Sequence, residues 1–250
     1  MPINFVQLLQ DSWNFMRNQY QFSLFAILLL LILQLATLYL LPQTQLSSAE
    51  LQSPDMVEKV LQAQLMPAVI QGLISVFINI LIILNIKSIN NGNYHHFFQH
   101  LSGVGKYFFA VLVLTLLMVM PLSFSVALGG VAVQGSSLSI MMIPLMIVGI
   151  FIFVKLCLVI YVYLVEEPQK KMGESIKFVW ELSRDKMRIL FLFCVLSYLV
   201  PSLLSSVIAN LVGGEIGLFI SQVFGAALTL FLVIFGFRFY QVFRSLPRSL

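Results

Sequence analysis

Along most of the chain, apolar and polar positions do not alternate. Mostly apolar residues fill six stretches: 22–41, 66–86, 107–128, 140–165, 189–209 and 216–237. A helix that crosses the hydrocarbon of a bilayer needs about 20 such residues. Lipid offers no partner for free backbone N–H and C=O groups, so a chain with these runs folds as helices. The runs are about twice the length of a barrel strand and lack a barrel strand's alternation. The predicted fold class is all-α: a polytopic bundle of six transmembrane helices in one integral membrane domain, residues 1–250. The first run reads as an uncleaved span. It starts late, is too long for a signal-peptide core, and is followed by Leu40, Leu41 and Pro42 rather than a small-residue cleavage site.

Helical periodicity appears between the runs. Phe5, Leu9, Trp13, Met16 and Tyr20 share one spacing, with Asn4, Gln7, Asp11, Asn14 and Asn18 between them. A second such segment covers 97–108, and a third sets Ile176, Val179, Trp180 and Met187 against Glu174, Lys177, Glu181, Arg184 and Asp185. The chain therefore reads as three repeats of an amphipathic segment plus two spans. The amphipathic segments are expected to lie in the membrane interface. The second and third repeats share an intraspan proline (Pro121, Pro201), serines after it, and a glycine pair (Gly129-Gly130, Gly213-Gly214). Proline removes one ladder bond, so each of these spans is expected to bend, either for packing or as a hinge. Ser53, Pro54 and Asp55 open a further helix expected to run into the second span near Pro67. The sixth span carries Gly213, Gly217, Ser221, Gly225 and Thr229 four apart, a small-residue ribbon that lets helices approach closely.

Composition agrees with this reading. Hydrophobic residues make up 60% and charged residues 10%, against about 25% charged in a soluble domain. A soluble enzyme, a disordered chain and a nucleic-acid-binding module are excluded. The net charge of +4 is unevenly placed. Arg17, Lys87, Lys106, the six basic residues of 166–188 and the three beyond 237 fall in alternate loops, twelve against Lys59 alone. Basic residues concentrate on the cytoplasmic side, so both termini are expected there. No nucleic-acid partner is needed to explain the basicity.

Few groups offer chemistry. Lys155 is the one charge deep inside a span. Two readings stand: it snorkels to the cytoplasmic headgroups, or it is a candidate contact for an anion. His96 and His100 lie four apart, with His95 beside them, but a third ligand and an HExxH pattern are missing. Cys157 and Cys194 sit in apolar runs without a CxxC neighbour and read as buried thiols. No phosphate loop, dinucleotide turn or nucleophile elbow is present. The expectation is no catalytic residue, no cofactor and no metal. The partners expected are membrane lipids, and other inner-membrane proteins or a second copy of the chain. Two functions stay open: a non-enzymatic role in envelope or membrane organisation, and a carrier or flippase for a small anionic or lipid-like solute.

The stretch Asp11-Ser12-Trp13-Asn14-Phe15-Met16-Arg17-Asn18-Gln19 resembles the N-terminal segment of the YciC-like inner-membrane proteins of Gram-negative bacteria. Met172-Gly173-Glu174-Ser175-Ile176, then Trp180-Glu181-Leu182-Ser183, and the ending Phe237-Arg238-Phe239-Tyr240 are similar to that family too. The resemblance spans nearly the whole chain and implies a multi-pass protein of the bacterial inner membrane, with no activity attached. A basic residue in the fourth span, an acidic exit and a Gly-x-Ser segment also resemble the non-catalytic membrane region of some glycerophosphodiester phosphodiesterases.

Overall fold

The computed structural model describes residues 3–40, 54–132, 138–212 and 214–246. Chain order gives α1 (Phe5–Asn18), α2 (Tyr20–Leu40) and the long α3 (Pro54–Asn90). A 3-10 turn, Phe97–His100, leads straight into α4 (Leu101–Ala132). α5 (Leu138–Leu156), α6 (Val159–Val165) and the short α7 (Met172–Leu182) follow. α8 (Met187–Cys194), a π-helical turn (Val195–Leu199) and α9 (Val200–Val212) run on from one another, and α10 (Gly214–Ser245) comes last. Among the described residues there is no strand.

Five stretches are long and apolar enough to cross a membrane: Leu65–Asn90, Phe97–Phe124, Pro144–Val165, Met187–Ile208 and Phe219–Ser245. A sixth is reached by counting α1 with the first part of α2, two helices that meet at 95°. The five overlap the second to sixth apolar runs, whereas the first run, 22–41, falls on α2 and reaches the count only together with α1. The helix expected from Pro54 does continue through Pro67 as one helix with the second run.

Two of the amphipathic segments form separate helices. α1 is opened by Asn4, whose Oδ1 accepts from the Gln7 backbone N–H at 3.2 Å. Glu174 of α7 accepts from the backbone N–H of Lys171 at 3.1 Å, satisfying a free donor at the helix start. The second segment differs: its 3-10 turn passes into α4 without a break. The buried stripe of α1 is Leu8, Ser12 and Phe15, and that of α7 is Ser175, Val179 and Leu182. Trp13 and Trp180, placed by their spacing on the apolar faces, are exposed at the flank of each stripe.

α10 is the helix on which the others converge. It packs on α1, α2, α3, α6 and α9. Its buried Ala226, Leu230, Ile234 and Phe237 follow helical spacing, and Phe235, Phe239 and Phe243 form a second buried row. Phe239 stacks on Phe193 of α8 at 4.1 Å and on Phe5 of α1 at 5.8 Å, joining three elements. The small-residue ribbon lies on this helix. Gly217 is buried. Gly225 lies against Gln34 of α2: a Cβ there would stand 3.4 Å from Gln34 Oε1. Gly213 lies outside the described residues. A glycine not on the ribbon makes the tightest approach. A Cβ on Gly236 would overlap the hydroxyl of Tyr161 and stand 2.7 Å from its Cζ.

Charged groups from four segments meet at one end of the helices. Glu166, buried at the end of α6, accepts from the hydroxyl of Tyr240 and from Arg244 Nη1 at 2.8 Å, both on α10. Glu167 pairs with Lys87 of α3 at 2.8 Å. Arg238 donates to Asn90 Oδ1 at 3.0 Å and lies over the ring of Phe15. Lys186 donates to the carbonyl of Leu246 at 2.9 Å.

Candidate functional site

Two spans are interrupted, and both interruptions face the same space. α5 ends at Leu156, Cys157 and Leu158 form a turn, and α6 resumes at Val159. No proline or glycine marks this break. The other has a visible cause. Pro201 has no N–H to donate to the carbonyl four residues back, which belongs to Ser197. The chain widens just before it into the π-helical turn, in which the Val200 N–H bonds to the carbonyl of Val195, five residues back.

Between these breaks, α3, α4, α6 and α10 line a partly open cavity of about 540 Å³. That lies in the size range of ligand sites, about 300–1,000 Å³. Most of its wall is apolar, with Val111, Leu112, Ile160, Phe193 and Leu232 prominent. Into it come uncharged polar groups from every side: Ser75 and Asn79 of α3, Thr115 of α4, Tyr161 of α6, Ser197 of the π-helical turn, and Thr229 of α10. Among the described residues, the wall contains no Asp, Glu, Lys, Arg or His side chain. Thr115 and Thr229 bond back to their own helices, to the carbonyls of Val111 and Gly225, each at 2.8 Å. The buried hydroxyl of Ser197 finds no partner. An unpaired buried hydroxyl costs about 1–3 kcal/mol, so a group that hydrogen-bonds to it from the cavity would be favoured.

A second chamber of about 290 Å³ lies between α2, α9 and α10. It shares Thr229 and Leu232 with the first, so the two adjoin. Ser221 and Gly225 of the ribbon line it.

Lys155 does not line the larger cavity. Its side chain is buried, and its Nζ lies 5.2 Å from the ring of Trp180 on α7 and 5.8 Å from that of Phe151. The ammonium therefore lies against the α7 segment and is met by aromatic faces. His95 and His96 are exposed, and the His100 ring lies 2.9 Å from the Gln99 amide. Among the described residues, no three His, Cys, Asp or Glu side chains are arranged to hold a metal. Cys157 and Cys194 are buried free thiols that meet each other across the α5–α6 break. The acidic pair Glu166-Glu167 ties α6 to α10 and α3. Hydrogen bonding from Lys87 holds the Glu167 carboxyl below its ordinary range.

Sequence reasoning did not find the cavity. Its signal was present: Asn79, Thr115 and Ser197 are single polar side chains within apolar runs. Each alone is unremarkable, and only the fold brings them together.

The chain is similar to an uncharacterised protein of Haemophilus influenzae, 29% identical over 248 residues that cover 97% of this chain and 99% of that protein. The match runs almost end to end in both. No protein-family model and no solved structure matches the chain.

Proposed function

We propose that the protein is a non-enzymatic integral membrane protein that binds a lipid-like solute between its spans and carries it through the bilayer. The observation that carries this reading is the 540 Å³ cavity, apolar over most of its wall, with the unpartnered Ser197 hydroxyl in it. Of the two functions left open by the sequence, this favours the carrier or flippase. Within that class it favours a lipid-like solute over a small anion, because Lys155 is engaged by Trp180 and Phe151 and lies off the cavity wall. The interrupted helices support a wall that moves, since broken spans recur where transporters bind their solutes. A membrane-organising role keeps one specific support: Val6, Trp13 and Trp180 are exposed on α1 and α7, where lipid or a partner protein would meet them.

We further infer the setting. The twelve-to-one division of basic residues supports both termini in the cytoplasm. The YciC-like segments support a place in the inner membrane of a Gram-negative bacterium, and the repeats support internal duplication of one unit.

The test is reconstitution. Purified full-length protein is placed in vesicles holding a fluorescent-tailed glycolipid in both leaflets, and a membrane-impermeant quencher is added outside. The expected result is loss of the inner-leaflet signal faster than in protein-free vesicles, slowed by Ile160→Trp, which fills the cavity. A rate equal to that of protein-free vesicles overturns the carrier reading.

A further inference from the structure

We propose that the 290 Å³ chamber between α2, α9 and α10 is the headgroup subsite of the same solute, and that the head it takes is uncharged and hydroxyl-bearing. This rests on the preceding reading and names the class of solute.

The two chambers divide the work. The larger is mainly apolar and suits a hydrocarbon chain. Among the described residues, the smaller is lined by the hydrogen-bonding side chains of Gln34, Ser202, Ser205, Ser221, Gln222 and Thr229, and by no ionisable one. Thr229 and Leu232 border both, so a molecule with its chain in one and its head in the other would pass over these two side chains. A charged head would leave water for a pocket whose described wall offers no opposite charge, and among those residues nothing compensates that desolvation. An uncharged head pays far less and meets hydroxyl and amide partners.

Gln34 specifies the partner more closely. Its Oε1 is buried and accepts no hydrogen bond. The carboxamide lies across α10 where Gly225 leaves room, with Oε1, Nε2 and Cδ all within 3.9 Å of the place a Cβ would occupy. A free carbonyl oxygen calls for a donor. A hydroxyl both donates and accepts, so it satisfies the carboxamide in either orientation of its oxygen and nitrogen. Ser197 at the far side of the shared wall is a second unpaired group of the same kind.

The test uses three probes with one common acyl or alkyl chain: a monoacylglycerol with an uncharged diol head, a lysophosphatidic acid with an anionic head, and a long-chain alkylammonium. Full-length protein in nanodiscs is offered an equimolar mixture. The retained adducts are then counted by native mass spectrometry after release. The monoacylglycerol adduct is expected to exceed each of the others by about tenfold, a hydrogen bond to a buried amide being worth that ratio. Gln34→Leu should shrink the monoacylglycerol preference by removing its hydrogen bond, and Ser202→Ala, a milder change, should reduce it less. Ile160→Trp in the chain cavity should remove all three. Equal adducts in the parent protein that Gln34→Leu leaves unchanged and Ile160→Trp abolishes would overturn the headgroup assignment alone. Adducts absent, or indifferent to Ile160→Trp, would overturn the lipid-like reading and this inference with it.

Discussion

At Lys155 a long stem is buried two residues before a helix break, and its ammonium faces the rings of Phe151 and Trp180. Two effects oppose each other there. Holding a charge near the apolar layer costs about 2.5–3.5 kcal/mol at a span centre and less towards its end. Two aromatic faces return about 0.5–2 kcal/mol. Lys155→Met should therefore leave the detergent melting temperature unchanged or raised. Trp180→Ala, which strips a ring from a charge that remains, should lower it. A large fall with Lys155→Met would contradict this reading of the residue. Glu166 offers a second comparison. Its two donors differ in burial: Tyr240 is fully buried, whereas the Arg244 side chain is 52% exposed. A buried hydrogen bond to a carboxylate is worth about 1.5–3 kcal/mol, and a half-exposed ion pair under about 1. Tyr240→Phe should thus destabilise more than Arg244→Met in the same unfolding assay. Lys155 was legible in the sequence because a charge in an apolar run is conspicuous. Gln34 and Ser197 were not, because an isolated polar side chain in a span says nothing of which neighbour it faces.

Among the elements, α10 bears the closest packing, and its glycines are not equal. At Gly225 an added methyl meets the end of a flexible Gln34 side chain at 3.4 Å. At Gly236 it meets the rigid ring of Tyr161, which also bonds to the carbonyl of Val233 at 3.4 Å. Gly236→Ala should cost about 1–3 kcal/mol by overpacking, and Gly225→Ala distinctly less. Detergent melting of the two variants side by side checks the order, and equal losses would contradict it. The six runs were legible because a span must be apolar over its length. The ribbon through Gly217 and Gly225 was legible from its spacing, but Gly236 lies off that spacing and its partner is remote in sequence. The break at Cys157 and Leu158 has no proline or glycine to announce it. The amphipathic helices were found, yet with their faces rotated. At a membrane surface, apolar side chains face both the protein and the lipid, so polarity fixes only the wet side. Leu8, Ser12 and Phe15 pack inward while Trp13 stays exposed.

Over the whole molecule, exposed apolar side chains form long stripes: Leu24, Leu28 and Ile32 on α2, Phe109, Leu116 and Met120 on α4, and Leu203 and Val207 on α9. Water would not tolerate such surface on a monomer, and hydrocarbon covers it without cost. With the charged clusters gathered at the Glu166 end, the charge asymmetry gives a topology forecast. Alkaline-phosphatase fusions should be active at residues 45–60, 132 and 213, and inactive at 93, 170 and 248. Activity at 170 would contradict the orientation. The central claim is that a lipid-like molecule lies inside, between α3, α4, α6 and α10, rather than only around the outside. The most direct measurement is photo-crosslinking with a long-chain alcohol that carries a diazirine in its tail, followed by peptide mapping. The account predicts adducts on cavity residues such as Thr115, Ile160 and Leu232, lost when Ile160→Trp fills the space. Adducts confined to the outward stripes at Leu24, Leu28 and Ile32, and unchanged by Ile160→Trp, would contradict it.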